Sequence, residues 1–194
     1  FESILGNLKM NKILDRLTVA SNQVFNIKFF SVVDEKGNTV PNYLVVEPKN
    51  SHVDRISGAA ILPVYDGKIV LIEMFRPALD KICLEIPHGF SMSDETIEEA
   101  GLRELREETG LIGCTDSLYD LGLVAPDSGI IRGVVRLFLA DEVKLEVEQE
   151  IEFGLGKLRL FSPEEIESLI REEKLIDSFT LVAFYRAIAL GHLK

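Results

Sequence analysis

Residues 89–111, GFSMSDETIEEAGLRELREETGL, place one helix between two glycines and load it with acid. Ile97, Ala100, Gly101 and Leu105 recur at helical spacing and predict a helix over 94–109 with a narrow apolar stripe. Ser93 or Asp94 offers a capping side chain, and Gly110 stands where a left-handed C-terminal cap is needed. The helix carries Asp94, Glu95, Glu98, Glu99, Glu104, Glu107 and Glu108 against only Arg103 and Arg106. Glu104, Glu107 and Glu108 are spaced i, i+3, i+4, which puts three carboxylates on one face. They lie in the last turns, where the helix dipole is already negative. At roughly 6 Å and an effective dielectric of about 20, a partly desolvated like-charge pair costs roughly 3 kcal/mol. In open solvent the cost is only about 0.2–0.5 kcal/mol. The pattern therefore suits either a solvated acidic face or a site for a hard divalent cation. Mg²⁺ accepts carboxylate oxygens and commonly binds beside substrate phosphates.

Strands surround this helix. Residues 13–20, 24–33 and 39–47 are rich in branched and aromatic side chains, and Asp34-Glu35-Lys36-Gly37-Asn38 reads as a hairpin loop between the last two. Residues 48–55 form a polar linker. Strands over 56–65 and 68–75 flank Asp66-Gly67, a strong hairpin signal. A short strand, 82–86, ends at Pro87-His88-Gly89. Strand patterning returns over 118–124, 131–140 and 157–161, with an acidic loop over 141–153. Ser162-Pro163-Glu164-Glu165 starts a helix by its capping box and its proline at the first position, and that helix reaches about residue 174. Asp177 or Ser178 caps a last helix that ends at Gly191. This order predicts helices flanking a mixed sheet, preceded by a small antiparallel β unit. The division expected is 1–50 and 51–194.

The helix segment resembles the Nudix box, G-x5-E-x7-R-E-U-x-E-E-x-G-U with U aliphatic. Gly89, Glu95, Arg103, Glu104, Leu105, Glu107, Glu108, Gly110 and Leu111 match every fixed position. The resemblance implies a Nudix α/β/α sandwich. It implies that Glu104, Glu107 and Glu108 hold Mg²⁺, with Mn²⁺ as a substitute, and that Arg103 orients them in reach of Glu99 and Glu107. Glu95 is read as support for the loop. Met74-Phe75-Arg76-Pro77, followed by Leu84-Glu85-Ile86-Pro87-His88-Gly89, is similar to the pattern around the box in ADP-ribose pyrophosphatases. By that likeness Arg76 grips the diphosphate, Glu85 stands at the pocket wall, and the backbone carbonyl of His88 contacts a metal. The family usually has a small residue at position 88, and the imidazole is read as incidental. Pro126 stands where the subfamily carries a proline, although Asp127-Ser128-Gly129 departs from its usual neighbours. A general base is expected from 146–152, with Glu150 favoured over Glu148, or from Glu107. The first third resembles the subfamily's N-terminal sheet, which implies a homodimer and a base-side wall. Phe25, Phe29, Phe30 and Tyr43 are its stacking candidates, although strand aromatics usually face a core.

The implied activity is metal-assisted hydrolysis of a nucleoside diphosphate joined to a sugar, with ADP-ribose giving AMP and ribose 5-phosphate. Another nucleotide sugar such as GDP-mannose, a dinucleoside polyphosphate, or a non-hydrolytic ligand sensor are the competing readings. The net charge of −11 argues against a sequence-independent grip on nucleic acid, which needs cations for phosphates. It does not argue against a small phosphorylated ligand, because a bound metal inverts local charge. No apolar run reaches about 18 residues, so no membrane span is expected. Cys83 and Cys114 are too few for a disulfide scaffold and are expected to be reduced thiols. No stretch resembles a secretory leader, and a cytoplasmic location is expected.

Overall fold

The computed structural model describes residues 11–146 and 153–193. They fall into two units, the first formed by 11–49 with 127–133, the second by 50–126 with 134–193.

The first unit is an antiparallel sheet, β1 (Lys12–Ser21), β2 (Phe25–Val33) and β3 (Thr39–Pro48), with β2 in the middle. Its turns follow from side chains that accept backbone N–H groups. Asn22 Oδ1 accepts from the amides of Val24 (2.9 Å) and Phe25 (2.7 Å). Asp34 Oδ1 accepts from Lys36 and Asn38, both at 2.8 Å. One face carries Phe30, buried beneath the guanidinium groups of Arg16 and Arg132. On the other, Leu17, Phe29 and Leu44 stand in register across the three strands, with Leu17 and Leu44 exposed. Residues 127–133 return to this sheet. The amide of Val46 donates to Ile130 O and that of Arg132 to Val46 O, each at 2.9 Å. Ile131 is thus bridged to Val46 and does not open the next strand, as the apolar run from 131 had suggested.

The second unit is built on a seven-stranded mixed sheet. Its strands are β4 (Ile56–Tyr65), β5 (Lys68–Arg76), β6 (Lys81–Glu85), β7 (His88–Phe90), β9 (Leu118–Val124), β10 (Val134–Ala140) and β12 (Leu155–Phe161). The order is β12-β5-β4-β10-β9, with β6 on β5 and β7 on β4, and only β4 and β10 pair in parallel. Two short strands, β8 (Leu111–Ile112) and β11 (Lys144–Leu145), form a separate ladder. Asp66 and Gly67 both have positive φ (51° and 71°), the two-residue turn that matches strand twist.

Alternation along β4 makes the sandwich. Ala60 and Leu62 face a core shared with α2 (Pro163–Arg171) and α3 (Ser178–Ala189), through Ile166, Ala183 and Phe184. Ala59 and Ile61 face the other core, which takes Leu105 from α1 (Ile97–Thr109). Glu165 completes the Ser162 capping box, and Asp177 caps α3. α1 begins later than its acids suggested. Thr96 is its cap, and Glu99 reaches back to the Thr96 amide at 2.7 Å. Gly110 closes it in the left-handed region, φ 71°. Among the described residues no helix is long and apolar enough to cross a membrane. Cys83 is buried, Cys114 is exposed, and neither is in a disulfide.

Candidate active site

Two glycines bring strand β7 and helix α1 together. β7 pairs with β4 through Gly58↔Phe90, Ala59↔Gly89 and Ala60↔His88. A Cβ on Gly58 would stand 2.9 Å from the carbonyl carbon of Gly89 and closer still to its oxygen. A Cβ on Gly89 would stand 2.6 Å from Glu104 Oε2 and closer still to the rest of that carboxylate. The Glu104 carboxylate therefore lies directly on the backbone of β7, where a Cβ at position 89 would displace it.

Arg103 joins the loop to the helix. Its Nε and Nη2 donate to Glu95 (3.1 and 2.9 Å), and Nη2 also donates to Phe90 O (2.9 Å). Its Nη1 donates to Glu104 Oε1 (2.8 Å) and Glu107 Oε2 (3.0 Å). All five N–H donors of the guanidinium are so used, which leaves this side chain to position others. Glu99 is not a partner, because it is spent on the helix cap. Glu95 also accepts from the Met92 amide at 2.7 Å, which folds the loop back onto α1.

The bond from Arg103 holds the Glu95 carboxyl below its ordinary value of 4.5, against the effect of burial. The Glu95 bond, working against burial and aided by Glu104 and Glu107, raises the Arg103 pKa. A carboxyl with a depressed folded pKa adds stability that is fully present above its unfolded value and lost as pH falls through the folded one. The urea midpoint of wild type should therefore exceed that of Glu95→Gln by a constant margin down to about pH 4.5. The margin should shrink at lower pH. A margin that does not change between pH 7 and pH 3 contradicts the pairing.

Glu108 is only 3% exposed, and its Oε2 accepts from the amide of His88 at 2.9 Å. Glu104, Glu107 and Glu108 form an anionic, oxygen-only donor set on one helix face, the kind a hard cation requires. In chemistry the set fits such an ion. In arrangement, no three acidic, histidine or cysteine side chains are gathered tightly enough among the described residues to surround one. Two of the carboxylates are turned to Arg103 and the third to the His88 amide.

A cleft of about 520 Å³ opens beside them, lined by Arg76, His88, Gly89, Phe90, Glu104 and Glu108 among others. Glu107 is not on its wall. Glu85, expected at the wall, is not there either. It is buried behind Arg76, and takes Nε (2.9 Å to Oε2) and Nη2 (2.5 Å) of that guanidinium. The reason is charge: a buried carboxylate needs a partner, and Arg76 is within reach. Burial opposes the Arg76 charge, but Glu85, with Glu108 and Asp177 further off, outweighs it and raises the pKa. The His88 imidazole is not a loose side chain. Nδ1 lies 2.8 Å from Ile86 O and Nε2 lies 2.9 Å from Arg76 Nη2.

Glu148 and Glu150 lie outside the described residues. Of the aromatic candidates in the first unit, Phe30 is buried, Phe25 and Phe29 are half-buried, and Tyr43 is exposed with its hydroxyl donating to Gly129 O.

The NUDIX domain model matches residues 54–180. The chain belongs to the Nudix family. It is similar to the ADP-ribose pyrophosphatase of Bacillus subtilis, 32% identical over 143 residues, which is 73% of this chain and 75% of that protein. It is also 37% identical over 92 residues to an uncharacterized Nudix hydrolase of Schizosaccharomyces pombe. That match takes in 47% of this chain and only 44% of the relative. In three dimensions it is like the crystal structure of an ADP compounds hydrolase, with a TM-score of 0.77 at 18% identity. The likeness covers 96% of this chain and 99% of that one, and it shows the fold. By sequence this is an ADP-ribose pyrophosphatase-like Nudix hydrolase.

Three features of the Nudix site escaped the sequence reading. Thr96, rather than Ser93 or Asp94, caps α1, and Glu99 three residues on is the capping-box signal for it. Gly58 is an isolated glycine in a strand, which signals a close backbone approach. Thr180 accepts from the Ile86 amide at 2.9 Å, and no local pattern announces that bond.

Proposed function

We propose that this Nudix hydrolase splits the diphosphate of a nucleoside diphosphate joined to a sugar, with ADP-ribose as substrate and AMP and ribose 5-phosphate as products. One observation carries the reading: a single cleft holds the Glu104 and Glu108 carboxylates of the Nudix helix together with the Arg76 guanidinium. Anionic oxygens and a permanently charged donor fork on one cleft wall suit a diphosphate bound with a divalent cation.

In this reading Glu104, Glu107, Glu108 and the backbone carbonyl of His88 would hold Mg²⁺, for which Mn²⁺ would substitute. Bound there, the ion would supply Lewis-acid charge to the diphosphate and lower the pKa of the attacking water. Arg103 positions Glu104 and Glu107. Arg76 binds the diphosphate and offsets charge as it develops. A carboxylate, Glu150 by resemblance or else Glu107, takes the proton of the attacking water. The new bond is water oxygen to phosphorus, and the bond broken is from that phosphorus to the bridging oxygen.

The first unit is proposed as the dimer contact and the base-side wall. Exposed Leu17 and Leu44 on one apolar face of its sheet support the first role, since contiguous apolar surface marks association sites. A panel of ADP-ribose, GDP-mannose and a dinucleoside polyphosphate, with Mg²⁺, tests the substrate. Faster turnover of either of the last two replaces ADP-ribose as substrate, and tight binding of ADP-ribose without cleavage of any of the three indicates a sensor. Sedimentation of the full chain tests the dimer, and a monomer at micromolar concentration contradicts it.

A further inference from the structure

His88 occupies a position where a side chain has to be accommodated between β7 and α3, and the structure gives that side chain two directed bonds. Nδ1 faces the carbonyl of Ile86, which can only accept. Nε2 faces Nη2 of Arg76, which can only donate. Both are satisfied together by the imidazole with its proton on Nδ1. The ring also packs edge-on against Phe179 of α3, with centroids 5.0 Å apart.

The Ile86 anchor is itself fixed. Its amide donates to Thr180 Oγ1 (2.9 Å), which in turn donates to Asp177 Oδ2 (2.7 Å) at the start of α3. The backbone amide of His88 is tied to Glu108 of the Nudix helix. One residue thus links α3, α1 and the cleft arginine.

We propose that the His88 imidazole is a positioning residue for Arg76. Glu85 takes Nε and one hydrogen of Nη2, and His88 takes the other. The guanidinium is then held from two directions, so it cannot pivot about its contact with Glu85. Among the described residues Nη1 makes no hydrogen bond, and it is the edge left to meet a phosphate oxygen. A planar donor fork binds a diphosphate well only when its plane is set in advance. This proposal rests on the reading of Arg76 as the diphosphate ligand.

The test is a double-mutant cycle between His88→Ala and Arg76→Lys, which keeps a cation beside Glu85 but removes the fork. The readouts are KM and kcat for ADP-ribose with Mg²⁺, and Kd for its α,β-methylene analogue by calorimetry. His88→Ala is expected to raise KM and Kd together about five- to tenfold, the effect of one ordinary hydrogen bond, and to lower kcat by no more than the same factor, because Arg76 also offsets developing charge. His88→Gln, whose Oε1 can accept from Nη2, is expected to recover most of the loss. If His88→Ala unfolds, His88→Leu keeps the packing on Phe179, accepts nothing, and gives the same readout. In the Arg76→Lys background His88→Ala is expected to add nothing further. An equal further loss there overturns the proposal, since the imidazole then acts without Arg76. Unchanged KM and Kd in His88→Ala overturn it as well, while leaving the Arg76 reading in place. Unchanged KM and Kd in Arg76→Lys overturn that reading and the proposal with it.

Discussion

Glu107→Gln is expected to slow turnover of ADP-ribose about 10²–10³-fold at saturating Mg²⁺ while leaving the fold intact. The side chain is the most open of the three helix carboxylates, and its bond to Arg103 at 3.0 Å is one of five that arginine makes. Glutamine has the same shape and still offers an oxygen to Arg103. Stability should stay within about 0.5 kcal/mol, as for most surface substitutions. What is lost is the negative charge that a hard cation requires. Charge stabilisation by a catalytic metal is worth several kcal/mol, and about 1.4 kcal/mol corresponds to tenfold in rate. Urea midpoints and kcat measured side by side check both halves. Near-normal turnover in this variant removes Glu107 from the metal site.

Gly58→Ala should damage both stability and activity. The new methyl group would lie 2.9 Å from the Gly89 carbonyl carbon and nearer its oxygen, and these are backbone atoms of a paired strand. A side chain could turn away, but here β7 must separate from β4. Overpacking in a close-packed interior costs about 1–3 kcal/mol and sometimes more, and the rigidity of the neighbour places this substitution near 3 kcal/mol. Because Gly89 carries the Glu104 carboxylate against its Cα, the same displacement should lower kcat. Chemical denaturation and steady-state kinetics check the pair of effects. A loss below about 0.5 kcal/mol with unchanged kcat contradicts the close approach.

Much of the fold was legible because local patterns carried it. Strand patterning located β4 and β9 to the residue, Asp66-Gly67 located the turn between β4 and β5, and Ser162-Pro163 located the start of α2. Strands of two or three residues, β7, β8 and β11, are too short to show a period. Ile131 looked like strand and is bridged to Val46, a partner 85 positions away in the chain that no local rule identifies.

The site divides along the same line. The helix face of Glu104, Glu107 and Glu108 could be read from spacing alone. The partners of Arg103 could not: helical spacing offered Glu99, but the cap had claimed it, and Glu95 came instead from a loop folded back on the helix. Glu85 was placed at the cleft wall and lies behind it, because a buried carboxylate follows its counter-charge and not its position in a motif. The bonds of His88 involve Ile86, Arg76 and Glu108, and only the folded chain assembles them.

Metal-dependent hydrolysis of ADP-ribose is tested by incubating the full chain with that substrate, with Mg²⁺ and separately with EDTA, and identifying products by mass. AMP and ribose 5-phosphate are expected in equal amounts with Mg²⁺, and intact ADP-ribose with EDTA. Intact ADP-ribose under both conditions, with nucleotide sugars and dinucleoside polyphosphates equally untouched, would contradict that hydrolysis.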